Sequence, residues 1–96
     1  MVTASLKGQV LAQSDNTVMV DGNHYFPPSS ISKSFFEDSA THTTCPWKGE
    51  ASYYTVRLPD GTVIPDAAWY YPETKAKANH IKAHIAFYGN KQIQIA

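Results

Sequence analysis

Turn chemistry constrains this chain more than any other feature. Asp21-Gly22 separates two short runs of strand length, residues 17–20 and 23–26. A type I′ hairpin needs positive φ at both central positions, which Asp and Gly tolerate. Pro59-Asp60-Gly61 is a second break, where Pro presets φ and Gly takes the reversed conformation. It divides residues 52–58, rich in Tyr, Thr and Val, from residues 62–70. Ser14-Asp15-Asn16 closes an earlier strand over 8–13, with Val10 on one face. Short segments joined by tight turns pair antiparallel, so the first three strands are expected to form a meander, which Pro27-Pro28 stops.

The remaining segments are more varied. Ser29-Ser30 can cap a short helical turn over 31–35, although Phe35-Phe36 can equally begin a strand. Residues 37–49 read as the longest irregular stretch, and loops of that length in small domains are functional or disordered. Pro65 and Asp66-Ala67-Ala68 suggest a bulge or an edge. After Pro72, Thr74 can cap a helix over 74–88, because Ala78, Ile81, Ile85 and Tyr88 recur at spacings of 3, 4 and 3. Gly89-Asn90 fits a C-cap, and residues 92–95 alternate as a final strand. The fold expected is one mainly β (α+β) domain over 1–96, a compact antiparallel sheet with a single helix in its second half.

Charge narrows the partners. Eight basic residues balance eight acidic ones, and Arg57 is the only arginine. Nucleic-acid binders draw most of their affinity from a basic excess, so no nucleic-acid partner is expected. One cysteine allows no internal disulfide. There is no basic cluster followed by an apolar run at the start, and no apolar run approaches the ~20 residues of a membrane span. A soluble, cytoplasmic domain without a membrane partner is the expectation, and no cofactor is implied.

The candidate site is Cys45-Pro46-Trp47-Lys48-Gly49. Pro46 forces Cys45 into extended geometry. If Pro46 opened a helical turn, free backbone N–H groups and the Lys48 charge would favour the thiolate, the nucleophilic form. His42, three residues away, could then serve as its base. Equally, Cys45 can be a small apolar plug. Trp47 can stack on a ligand or fill the core. Lys48 can bind an anion, pair with Glu50 or Asp66, or stand in solvent. Tyr54, Trp69 and Tyr71 could wall an apolar pocket with Arg57 supplying polarity, or the aromatics could form a core and a homodimer interface. A zinc site is the sharpest metal reading: His80 and His84 share a helical face, and His42 and Cys45 offer two more ligands.

Three pieces of sequence carry a resemblance. They are Thr43-Thr44-Cys45-Pro46-Trp47-Lys48-Gly49-Glu50-Ala51-Ser52-Tyr53, then Asp66-Ala67-Ala68-Trp69-Tyr70-Tyr71-Pro72, then Phe87-Tyr88 followed by an Ile-x-Ile strand. With Tyr25-Phe26-Pro27 they resemble the domain-of-unknown-function 427 family over nearly the whole chain. The resemblance implies a β-tent-like fold with one helix and no settled activity. That family has carried a nucleotidyltransferase-like label, which these residues do not support: no Gly-Ser pair precedes a close Asp-x-Asp able to hold two metal ions. The readings that stand are a small-ligand-binding module, a thiol enzyme using Cys45, and a self-associating interaction domain.

Overall fold

The structure is a computed structural model and describes residues 1–89 and 92–96. Nine strands are described: β1 Val2–Leu6, β2 Gln9–Ser14, β3 Val18–Val20, β4 Asn23–Tyr25, β5 Phe36–Cys45, β6 Gly49–Arg57, β7 Val63–Tyr70, β8 Ile85–Phe87 and β9 Ile93–Ile95. They form a four-stranded sheet β5-β6-β7-β8, a three-stranded sheet β2-β1-β9 and the two-stranded β3-β4. All pairings between these strands are antiparallel. The domain is mainly β, as expected. No helix among the described residues is long and apolar enough to cross a membrane.

The four-stranded sheet is covered on both faces, and side-chain alternation sorts its residues between them. Tyr54 and Val56 of β6, Ala68 of β7 and Ile85 and Phe87 of β8 enter one core with Leu6, Leu11, Phe26 and Ile93. Ala51 and Tyr53, Trp69, and Ala86 enter the other, with Val20, Tyr25, Tyr71, Ala78 and Ile81. Tyr25 and Phe26 are neighbours in sequence yet belong to opposite cores, both fully buried. They pin the β3-β4 hairpin to the rim of the sheet, where Phe26 bridges Ile85.

Several turn expectations hold. Asp21 and Gly22 have φ of 52° and 80°, the pair of positive values a type I′ turn requires. The bulge expected near Pro65 and Asp66 is present: Tyr54 pairs with Ala68 but Val56 with Ile64, and Asp66 has φ 50°.

Four expectations need correction. The first three strands are not a meander, because β2 pairs with a strand the sequence did not reveal, β1, through a Lys7-Gly8 turn with φ 52° and 80°. The supposed loop over 37–49 is mostly β5, a ten-residue strand at the edge of its sheet. Its residues between the two ends are mostly solvent-exposed, so no apolar alternation marks it. The early helical turn splits into 3₁₀ turns at Pro28–Ser30 and Lys33–Phe35, while Ile31 bridges Ala12 and Phe36 opens β5. Finally, the helix over 74–88 is only a 3₁₀ turn, Ala76–Ile81. Thr74 does not cap it; its hydroxyl donates instead to Asn79 Oδ1 at 2.8 Å. Ala78 and Ile81 are buried as the spacing demands. Ala83 then takes φ 62°, a conformation L-residues do not sustain in a helix, and Ile85 pairs with Tyr70 in β8. Tertiary strand pairing has overridden local periodicity. The Asn90 half of the expected C-cap lies outside the described residues.

Gly49 offers a test of how tightly the sheet's turn is seated. Its φ is 122°, and a Cβ there would lie 3.0 Å from the Glu73 carbonyl oxygen. Gly22 has φ 80° with open space around it. Gly22→Ala should therefore cost about 1 kcal/mol and Gly49→Ala about 3 kcal/mol in chemical denaturation, since only the latter adds a backbone clash to left-handed strain. Equal costs would show that the turn can move away from residues 73–75.

Candidate functional site

Cys45 and Gly49 face each other across the β5-β6 hairpin, leaving Pro46, Trp47 and Lys48 as its tip. The tip is anchored from behind: Lys75 donates its backbone N–H to Lys48 O at 3.0 Å and its ammonium to Pro46 O at 2.7 Å. Pro46 thus opens a tight hairpin turn and not a helix, so no helix N-terminus faces the sulfur. Cys45 is half-buried and packs against the second core.

Lys48 turns inward and is the one charged residue classed as buried among those described, at 7% exposure. Its ammonium lies 2.9 Å from Asp21 Oδ2 and 3.5 Å from the Tyr25 hydroxyl. It stands 5.1 Å from the centre of the Trp47 ring, 5.8 Å from that of Tyr25 and 5.9 Å from that of Tyr71. Three aromatic faces thus surround a cation that the chain itself supplies. The Tyr25 hydroxyl also accepts from Trp69 Nε1 at 3.1 Å. Burial alone would lower the Lys48 pKa, but the hydrogen bond to Asp21 and the phenol oxygens of Tyr25 and Tyr71 outweigh it, holding the pKa above its ordinary value. Burial also pushes Tyr71 up to about 12. A protonated, paired lysine is neither a nucleophile nor an open anion anchor. The partner expected for it was Glu50 or Asp66; the partner found is Asp21, a residue that reads in sequence only as a turn former.

The other candidates divide. Trp69 and Tyr71 share the second core with Lys48. Trp47 is 38% exposed at the hairpin tip. Tyr54 belongs to the opposite core, stacked on Tyr70 at 4.6 Å, and its hydroxyl accepts from Lys33 at 3.1 Å. Arg57 lies at the far end of β6, exposed, with Nε 2.7 Å from Glu37 Oε2. It borders a shallow cavity of about 280 Å³ with Ser34, Phe35, Leu58 and Pro59. A second cavity, about 270 Å³, is lined by Gly22, Asn23, His24, Phe87, Gly89 and Ile95. Neither includes a residue of the Cys45–Gly49 hairpin; Tyr25, Tyr53, Trp69 and Tyr71 fill the second core instead of walling a pocket there.

His42 and Cys45 do not meet. Three residues apart in one strand, they point to opposite faces, and His42 Nδ1 lies 3.3 Å from Ser52 Oγ. His80 and His84 share no helical face, because the 3₁₀ turn ends at Ile81 and His84 Nδ1 lies 2.9 Å from Lys82 O. Among the described residues, no group of three His, Cys, Asp or Glu side chains could hold a metal ion.

Beside the hairpin lies a cluster the sequence reading missed. β5 has two extra residues between Asp38 and His42, and β7 has two between Ile64 and Ala68, so bulges flank β6 from both sides. They bring Ser39 Oγ to 2.5 Å from Asp66 Oδ1 and Thr41 Oγ1 to 2.8 Å from Asp66 Oδ2. Farther along the same face, Thr43 Oγ1 is 2.9 Å from Tyr53 Oη, which is 3.4 Å from Tyr88 Oη. Tyr88 is pushed up to about 12, chiefly by burial, then by its bond with Tyr53 and in lesser part by the nearby Asp66 charge. The Pro65-Asp66 bulge was legible in sequence, but its partner in β5 was not, because that stretch read as loop.

A small β domain sheeted on both faces, with a buried lysine in an aromatic cluster beneath a hairpin tip, is the class these observations define. The chain belongs to the family described as Domain of unknown function (DUF427), whose sequence profile matches residues 1–95. No curated protein matches the chain.

The site has a pH signature. Lys48 is raised from 10.5, and Tyr70, Tyr71 and Tyr88 are raised from 10.0 to about 12. A pKa raised on folding adds stability that is complete below the unfolded value and is lost as pH climbs through the folded one. Thermal stability should thus lose this contribution progressively from pH 10 towards 12, and the part of the tyrosinate absorbance that comes from Tyr70, Tyr71 and Tyr88 should lag that of a free phenol until the chain unfolds. Full tyrosinate formation in a still-folded protein near pH 10 would contradict the packing described.

Proposed function

We propose that this chain is a ligand-binding domain whose contact surface is the Trp47 tip and the face of β5 running into it, and that it takes a small molecule with a flat apolar part. The observation that carries this reading is Trp47 itself: a large aromatic, 38% exposed, on a turn locked from behind by Lys75 and from below by Lys48. A rigid exposed indole offers contact area at little entropic cost, which is why Trp recurs as a binding anchor. Asp21 neutralises Lys48, so selectivity rests on stacking and hydroxyls more than on charge. The separation of His42 from Cys45 favours binding over thiol chemistry at this hairpin.

A panel of flat heterocycles and short sugars, followed by thermal shift and Trp fluorescence, tests the reading. Compounds that bind should lose at least tenfold in affinity on Trp47→Ala, a change that costs the fold about 1 kcal/mol or less. Binders indifferent to Trp47→Ala would place the surface elsewhere.

One observation favours a second reading, association of two copies. β5 is an edge strand of ten residues with no Pro or Lys to guard it, and such edges are templates for pairing. Sedimentation should then show a dimer that Thr43→Pro dissociates; a monomer at all concentrations would discard it.

A further inference from the structure

We propose that Lys48 sets the ligand class of the Trp47 tip: the ring it backs selects flat, electron-rich aromatic compounds and rejects cationic ones. This assignment rests on the binding function proposed above. An indole carries negative charge density on both of its faces, which is why cations ordinarily stack on it. Here one face is already taken. The Lys48 ammonium lies over the Trp47 ring, 5.1 Å from its centre, and Lys48 is buried while Trp47 is 38% exposed. A ligand therefore meets the ring from the side away from the ammonium. Lys48 acts through Trp47 and touches no ligand, so it is a positioning residue that also polarises the ring.

Two cations on opposite faces of one ring compete. Lys48 draws π density towards itself, which leaves the outer face less negative. A cation stacked there, at a contact distance of roughly 3.5 Å, would also stand about 9 Å from the Lys48 nitrogen. That is close to the screening length of about 8 Å at physiological ionic strength, so the repulsion is weakened and not abolished. Asp21 offsets the ammonium unequally. The carboxylate lies 2.9 Å from Lys48 Nζ with its side chain 60% exposed to water, whereas the ammonium is enclosed among rings. Burial works against the Lys48 charge, yet the hydrogen bond to Asp21 and the phenol oxygens of Tyr25 and Tyr71 keep the group protonated. A second ammonium acts in the same direction. Lys75 Nζ is 2.7 Å from Pro46 O, which by the dimensions of one peptide unit puts it within about 6 Å of Trp47 Cα. An electron-rich ring gains where a cation loses, because its own negative face meets a surface drained of negative charge.

The test titrates the whole chain at neutral pH with three flat two-ring compounds of similar size. They are 2-naphthol, which is electron-rich, quinoline, which is electron-poor, and N-methylquinolinium, which is cationic. The indole N–H resonance of Trp47 reports each affinity. 2-Naphthol should bind about tenfold tighter than N-methylquinolinium, with quinoline between them. The compounds also differ in hydrophobicity, so the deciding quantity is how that ratio changes from one protein to the next. Lys48→Met, similar in length and uncharged, should shrink the ratio about fivefold, a change on the scale of one cation–ring contact. Asp21→Asn keeps the ammonium and removes its counter-charge, so it should widen the ratio about twofold; it carries the test if Lys48→Met does not fold. If Lys48 only props the tip, both substitutions would weaken all three compounds alike and leave the ratio where it was. A ratio that moves in neither variant, or N-methylquinolinium binding tightest to the native chain, overturns the inference. Binding that still requires Trp47 would in either case leave the binding function standing. If none of the three compounds moves the Trp47 resonance at millimolar concentration, the electron-rich aromatic class is overturned, and the wider panel of heterocycles and sugars judges the binding function separately.

Discussion

The second core of this domain is organised around one ammonium group. Lys48 joins two turns far apart in sequence, its own hairpin tip and the Asp21-Gly22 turn of β3-β4. Its stem and charge are enclosed by Trp47, Tyr25 and Tyr71. Asp21 is 60% exposed on its side chain, so the Coulombic attraction is screened and is not the main gain. The larger effect is the asymmetry of burial. Once Lys48 is desolvated, losing its acceptor strands a charge, whereas the pair together costs little. The contact therefore selects the arrangement in which the β3-β4 hairpin closes over the sheet, with the Tyr25 hydroxyl accepting from both Lys48 and Trp69.

That closure explains why the second core holds its aromatics so fully. Tyr25 meets Trp69 edge-on with ring centres 6.2 Å apart, and Trp69 lies 4.5 Å from Tyr88. Polar tips of these rings find partners within the cluster or along β5, and no buried side-chain nitrogen or oxygen is unsatisfied among the described residues. A core built from Tyr and Trp in place of Leu and Ile keeps hydroxyls near the surface.

How much of this was legible in the sequence depended on range. Asp21-Gly22 and Pro59-Asp60-Gly61 announced their hairpins because turn conformation is decided by the residues in the turn. The Lys7-Gly8 turn has the same geometry, but Lys carries no such signal, so β1 was invisible. β5 was misread because an edge strand facing water needs no apolar alternation. The helix over 74–88 failed for the opposite reason: Ala78, Ile81 and Ile85 do share a buried spacing, but Ile85 is claimed by Phe26 and Tyr70 across two strands. At the Cys-Pro-Trp-Lys-Gly segment, the reading of an irregular stretch in which Pro46 could open a helical turn gave way to a hairpin tip, because β5 and β6 pair up to Cys45 and Gly49. The inward turn of Lys48 was not legible, since its partner lies 27 positions earlier. Tyr54 and Trp69 both looked like pocket walls, yet strand alternation sends them to opposite cores.

The facing bulges tie the fold to its surface most closely. A ten-residue edge strand with unguarded polar residues invites pairing by another chain, and a bulge is one way a sheet discourages it. The β5 bulge breaks the register between Asp38 and His42, so a partner strand could pair regularly with only one half of β5 at a time. The same extra residues rotate Ser39 and Thr41 toward Asp66, whose own bulge lets its carboxylate meet them across β6. One irregularity thus limits the length of edge that another strand could match and brings Ser39 and Thr41 to the Asp66 carboxylate on the face beside it. The hydrogen bonds from Ser39 and Thr41 to Asp66 in turn hold the bulge in the shape that interrupts the edge.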